Sequence, residues 1–168
     1  VLRVAVVDFG ASVKDYTNYL ADALTEQKNT EVVLFSNAEA QCDAIIKNHQ
    51  KTYTNILAYE VKIIRVFYMC LELIKLGIYV RKHRIAVVHL QWVEVFFVYW
   101  LFLKTLPKGV VSVYTCHNTT PFHGIASFKA RVQGAGFIAF LKSVDQIIVH
   151  TQYSKKKLLA DGFTGNVH

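Results

Sequence analysis

Short apolar runs return along this chain at intervals that a helix just fills, and that rhythm limits the fold more than any other feature. Residues 2–7, interrupted only by Arg3, end in Asp8-Phe9-Gly10 and read as a buried strand closing in a turn. Ser12-x-x-Asp15 then offers a capping hydroxyl and a first-turn carboxylate to a helix carrying Val13, Tyr16, Leu20, Ala23 and Leu24 at helical spacing. A second strand is expected at 31–35, and a polar loop with a short helix at 37–51. From about Tyr53 the series Leu57, Val61, Ile64, Tyr68, Leu71, Ile74, Ile78 marks a long amphipathic helix, with Lys62, Arg65, Glu72 and Lys75 off the stripe. The alternation continues with a strand at 85–90, a helix at 93–104, the turn Pro107-Lys108-Gly109 and a strand at 110–116. A loop to Gly124 and a helix at 125–143, weakened by Gly134 and Gly136, come next. A strand at 145–150, a helix at 152–160 and the terminator Gly162 complete the pattern. Strand and helix alternating throughout predict an α/β fold, a Rossmann-like doubly wound parallel sheet in a single domain over 1–168.

A chain of 168 residues that is 53% hydrophobic, with 8 Gly and 2 Pro, must bury a core, which excludes disordered and collagen-like classes. Cys42, Cys70 and Cys116 form no C-x-x-C pair, which argues against a disulfide scaffold or a cysteine zinc site and fits reduced, intracellular thiols. The first residue is Val1 and a strand begins at once, so the sequence reads as a trimmed or cut chain without a secretory leader. The formal charge of +7 is uneven: residues 1–60 carry a net −3 and residues 61–168 a net +10. Such a basic half points to an anionic partner, but no aromatic-interleaved RNA motif or helix-turn-helix pattern accompanies it, so nucleic acid is not expected. Residues 85–103 are long enough to span a bilayer, yet His89, Gln91 and Glu94 fall inside, and a strand-turn-helix unit accommodates them without the membrane penalty. The aromatic residues Phe96 and Trp100 beside Lys104 and Lys108 suit either a core helix buried on most sides or contact with an anionic membrane surface.

In a doubly wound sheet, ligands bind outside the carboxyl ends of the strands. The first such loop holds one glycine, Gly10, where backbone N–H groups can approach an anion. The G-x-G-x-x-G and Walker patterns are absent, so NAD and P-loop nucleotides are not expected. The second loop carries His89-Leu90-Gln91-Trp92. The third begins at His117 directly after an apolar strand, and a histidine placed there is a candidate for binding or catalysis. His117 and His123 lack metal-site spacing, and no metal or other cofactor is expected. Cys116 and His117 are neighbours on a strand and point to opposite faces, which argues against a thiol-imidazole pair. The fourth loop, from His150, offers Thr151 as a helix cap followed by Lys155-Lys156-Lys157.

Taken in order, Val87-Val88-His89-Leu90-Gln91-Trp92, then Val113-Tyr114-Thr115-Cys116-His117-Asn118, then Asp145-Gln146-Ile147-Ile148-Val149-His150-Thr151, resemble the N-terminal domain of glycosyltransferase family 4 over nearly the whole chain. The resemblance implies one lobe of a GT-B enzyme that moves a sugar, with retention, from a nucleotide-diphosphate donor to a glycan or lipid-linked acceptor in polysaccharide or glycoconjugate synthesis. It implies that Gly10 lies near the donor diphosphate, that His117 is the catalytic residue bonding a donor-sugar hydroxyl, and that Asn118 and Thr151 lie on the donor side. It places Lys14, Asp15, Tyr16, His89, Thr119 and His123 at the acceptor, and Phe96, Trp100, Lys104 and Lys108 on a membrane-facing surface. The implied setting is a bacterial cytoplasm, peripheral to the inner face of the cell membrane. The C-terminal nucleotide-sugar domain is expected to be absent, with Gly165-Asn166-Val167-His168 falling where a linker would begin, so the piece alone is expected to transfer little or no sugar. The alternative is a stand-alone membrane-anchoring module that recruits a separate catalytic subunit and catalyses nothing itself. A flavodoxin-like or receiver-like regulator is disfavoured, because no acidic cluster suits Mg²⁺ and no hydroxyl-rich first loop suits FMN phosphate.

Overall fold

A computed structural model describes residues 1–10, 13–37, 50–53, 62–117, 136–160, 163 and 165–168. The strands are β1 (Leu2–Asp8), β2 (Thr30–Asn37), β3 (Gln50–Tyr53), β4 (Val87–Leu90), β5 (Val111–Cys116), β6 (Gln146–Val149) and β7 (Asn166–Val167). The helices are α1 (Lys14–Thr25), α2 (Lys62–Lys82), α3 (Phe96–Thr105), α4 (Phe137–Leu141) and α5 (Gln152–Ala160). The strands form one parallel sheet in the order β3-β2-β1-β4-β5-β6-β7. The order reverses between β1 and β4, and β1 and β4 are therefore the pair at which such sheets open a crevice.

The two faces are unequal. On one, Ala21 of α1 packs with Val4 and Val6 of β1 and Val32 and Leu34 of β2. On the other, Met69, Leu73, Leu76 and Val80 of α2 join Phe96, Tyr99 and Phe102 of α3, Phe137 and Phe140 of α4, and the sheet residues Val7, Leu90, Tyr114 and Ile147. Period-2 alternation sorts the strand residues between these layers. Gly136 opens α4 with φ 81°, and a Cβ there would lie 3.0 Å from the Phe97 Cα, so the first turn of α3 and the entry to α4 can meet only across a glycine.

Several expectations are corrected. β3 forms where a loop with a short helix is expected. Its sequence, Gln-Lys-Thr-Tyr, is that of an edge strand that needs no apolar run. α3 starts at Phe96 rather than Val93, because Val95 is extended (φ −131°) and serves as its N-cap. The end of the chain is a seventh strand rather than a linker: Asn166 and Val167 pair with Gln146 and Ile147, and the His168 N–H donates to the Ile147 carbonyl at 2.9 Å. Ser12, Gly124, Gly134, Gly162 and most of the helix expected at 125–143 lie outside the described residues. Among those residues, no helix is long and apolar enough to cross a membrane; the run at 85–103 divides into β4 and α3.

Candidate active site

All strands run parallel, so the turn after β1 and the first residues after β4, β5 and β6 share one rim. Gly10 is buried in the first of these turns. The start of α1 is fixed from below: its N-cap, Val13, has no side-chain cap, and the Asp8 carboxylate takes its place. Asp8 is fully buried and its Oδ2 accepts from the Val13 N–H at 3.3 Å and the Thr17 hydroxyl at 3.1 Å. The capping hydroxyl expected at Ser12 lies outside the described residues, and among those described it is the last residue of β1 that binds the entry to the helix. Asp8 was legible only as a strand end, and its signal is a carboxylate closing an apolar run before a helix.

That anchor aims the first turn of α1 at the ends of β5 and β6. Tyr16 meets the His117 ring edge-on at 5.4 Å between centroids and the His150 ring at 5.3 Å. The two imidazoles bond directly, His117 Nδ1 to His150 Nε2 at 3.0 Å. Trp92, after β4, lies 6.0 Å from the His117 ring. Burial pushes the His117 pKa below its ordinary value, the positive potential of His150 lowers it further, and the Gln91 backbone works the other way. A neutral imidazole at this position can donate from one nitrogen and accept at the other.

Polar groups on this rim are left short of partners. Among the described residues, His117 Nε2, both side-chain amide atoms of Gln91, and Glu94 Oε1 are buried without a hydrogen bond. Gln91 is 0% exposed. Glu94 has its pKa raised, first by burial and then by Asp8, with Arg65 opposing. A buried polar atom left unpaired costs about 1–3 kcal/mol, so their concentration on one rim marks a place where a polar ligand would supply the missing bonds. Gln91 and Glu94 were not among the expected site residues. Their only sequence signal is polarity directly after the apolar run of β4.

The expected residues divide. Gly10, Tyr16, His117 and Thr151 reach this rim, as does Asp15, exposed in the first turn of α1. The Thr151 Oγ1 caps α5, accepting the Ser154 N–H at 3.0 Å while donating to the Ser154 hydroxyl. Of Lys14 only the backbone is described, and Asn118, Thr119 and His123 lie outside the described residues. His89 is corrected. It is 5% exposed rather than open at the rim, inside the sheet under α1's layer, with Nε2 2.9 Å from the Thr115 hydroxyl. Burial, and secondarily His117, lowers its pKa to about 4, which keeps the ring neutral. Phe96 is corrected as well: it is buried against Phe137 and Phe140, with centroids at 4.7 and 5.5 Å, and cannot present itself to a membrane. Trp100 is half-buried, whereas Lys104 and Lys108 are exposed. Among the described residues no group of three or more His, Cys, Asp or Glu side chains is arranged to hold a metal ion.

The profile of Glycosyltransferase Family 4 matches residues 13–168, spanning every one of these rim elements except β1 and its turn. The chain belongs to that family. No curated protein matches the sequence. Among solved structures, sucrose-phosphate synthase from Thermosynechococcus elongatus superposes with a TM-score of 0.69 at 16% identity, over 100% of this chain and 47% of the synthase. S. aureus MnaA, solved with UDP, gives 0.66 at 11% identity over 99% of this chain and 43% of its own. Acinetobacter baumannii MurG gives 0.58 at 10% identity, over 92% and 42% respectively. The family 4 chain thus has the fold of one half of a GT-B enzyme and spans less than half the length of these structures.

Proposed function

We propose that this family 4 chain is the acceptor-side lobe of a retaining glycosyltransferase, which transfers a sugar from a nucleotide diphosphate to a glycan or lipid-linked acceptor. The observation that carries the reading is His117: a half-buried, neutral imidazole at the carboxyl end of a central strand, on a rim where buried polar groups lack partners. In this reading His117 bonds a donor-sugar hydroxyl, and the turn at Gly10 faces the diphosphate, with Asn118 and Thr151 beside it. Asp15 and Tyr16, with Lys14, Thr119 and His123, border the acceptor. Stabilising the departing nucleotide diphosphate is the largest electrostatic demand of such a transfer, and that task falls to a second lobe. No metal or cofactor is required of this chain.

The test offers a panel of nucleotide-diphosphate sugars and acceptors to the 168-residue chain, alone and joined to its second lobe. Transfer is expected only with the second lobe, and His117→Ala should reduce it by about 100-fold. Appreciable transfer by the chain alone, or full activity of His117→Ala, overturns the reading.

A peripheral membrane contact is proposed on a different surface from that expected in sequence. Helix α2 is apolar on two sides: beyond its buried stripe, Ile63, Phe67, Ile74 and Ile78 are 58–81% exposed, at spacings of four, seven and four residues. Ile74 and Ile78, with Leu101 of α3, line a groove of about 380 Å³ between the two helices, and Phe97 of α3 is exposed as well. Between residues 62 and 108 the sequence has eight Lys/Arg and two Asp/Glu, and of those two Glu72 is buried and Glu94 half-buried. An apolar stripe within a basic field suits an anionic bilayer. The chain should co-sediment with anionic vesicles at low salt and much less with zwitterionic ones. Equal binding to both would count against the assignment. Were the chain to bind vesicles and retain a catalytic partner without a covalent second lobe, the recruiting-module alternative would be favoured.

A further inference from the structure

We propose that His150 is a positioning residue: by donating from its Nε2–H to Nδ1 of His117, it holds His117 in the tautomer that presents Nε2–H to the rim. The inference rests on the sugar-transfer reading for its purpose, but its geometry stands alone. The His117–His150 bond is 3.0 Å long and joins residues 33 positions apart, so it is made by the pairing of β5 with β6. The opposite nitrogen of His117, Nε2, is buried with no hydrogen bond of ordinary geometry among the described residues, and a weaker hydrogen-bonding contact with the Gln91 backbone favours a proton on the ring.

Tautomer preference sets the direction of the bond. A free histidine side chain favours Nε2–H over Nδ1–H, and the hydrogen bond at one ring nitrogen decides what the other can do. When His150 donates, it uses its favoured Nε2–H and leaves His117 with its own favoured Nε2–H. The reverse bond would force both rings into the disfavoured form at once. The titratable groups facing His117 are His150 from β6, His89 from β4 and Tyr16 from α1, and each of the two histidines, when charged, would oppose a charge on His117.

The consequence for the site is a fixed polarity. His117 offers the rim a donor and not an acceptor, so its ligand atom there is an oxygen lone pair, as on a sugar hydroxyl or a phosphoryl group. Tyr16, edge-on to both rings, holds them at that angle.

The experiment is nitrogen NMR of the ¹⁵N-labelled 168-residue chain, with no sugar present. Expected are a protonated Nε2 and bare Nδ1 on His117 above the pair's titration, and an N–N coupling across the bond to His150. His150→Ala should abolish the coupling, shift the His117 Nδ1 resonance toward that of a free ring, and raise the His117 titration midpoint. His150→Gln, whose amide donates at similar reach, should restore the Nδ1 shift. A His117 that carries its proton on Nδ1, or that shows no coupling and no response to His150→Ala, overturns the proposal whatever the enzyme does. If the spectra agree but His117→Ala leaves transfer by the two-lobe protein intact, it is the sugar-transfer reading that fails.

Discussion

The two ends of the β5–β6 pair carry similar polar side chains in opposite conditions. At the amino end, Ser112 and Asp145 close on each other: the Ser112 N–H and hydroxyl both donate to Asp145 Oδ2, at 2.8 and 2.6 Å, and the Asp145 N–H donates back to the Ser112 hydroxyl at 3.1 Å. At the carboxyl end, His117 and His150 satisfy each other at one nitrogen each, while neighbouring Gln91 and Glu94 keep buried atoms unpaired. A closed set of bonds holds a fold together and asks nothing of a ligand. An open set costs stability and is tolerated where something else completes it. The sheet thus has a closed end and an open end along the same two strands.

The largest effect bearing on this contrast is pH dependence from His89, the satisfied histidine beneath the open rim. Its pKa falls from an unfolded value near 6.5 to about 4 when folded. Below 6.5 the unfolded chain binds a proton that the folded chain refuses, so stability is full above that pH and is lost as pH falls toward 4. The loss is on the order of 3 kcal/mol. Urea midpoints measured at pH 7 and pH 4 for the wild type and His89→Gln should converge at the acidic end. Equal acid sensitivity in both proteins would show that His89 does not sit neutral. Next in size is the closed end: Ser112→Ala removes the hydroxyl that donates to the Asp145 carboxylate and accepts the Asp145 N–H, leaving only the residue-112 N–H on that carboxylate, and should cost about 1–2 kcal/mol in denaturant melts, with no change in sugar transfer by the two-lobe protein. A stability loss of that size from His150→Ala would erase the distinction between the ends, since an exposed ring at an open rim should cost under about 1 kcal/mol.

How much of this was legible in the sequence depends on which signal each residue carries. The strand-helix rhythm is a periodic signal spread over many positions, and it located β1, β2, β4, β5, β6, α1, α2, α3 and α5 to within a few residues, save for the start of α2, since 54–61 lie outside the described residues. It missed β3 and β7, which are short edge strands with no apolar run, and it placed the start of α3 three residues early because the apolar run already includes Val93 and Val95, although Val95 is extended. His117 was found because a strand's carboxyl end is a privileged address. His89 was misread for the same reason: it sits one residue before such an end, and only alternation across the sheet decides that it points inward to Thr115. The His117–His150 bond was out of reach, since pairing of residues 33 apart requires the register of β5 on β6. For Phe96 the sequence leaves surface and core open, because aromatics beside lysines look alike whether they face lipid or a neighbouring helix. Its contact with Phe137 and Phe140 is tertiary.

The smallest predicted effect is the sharpest probe of the open end. Gln91 is fully buried, and both polar atoms of its side chain lack partners among the described residues. Methionine has nearly its length and shape and no polar group to desolvate, so Gln91→Met should raise stability by about 1 kcal/mol, read as a higher urea midpoint at unchanged slope. The same substitution should lower sugar transfer by the two-lobe protein, because no described residue takes up the amide and a bound ligand would. A stabilised variant with reduced transfer is the trade expected of a binding rim. If Gln91→Met instead destabilises the chain, the amide is satisfied within the fold, and Gln91 belongs with Ser112 and Asp145 as a structural residue.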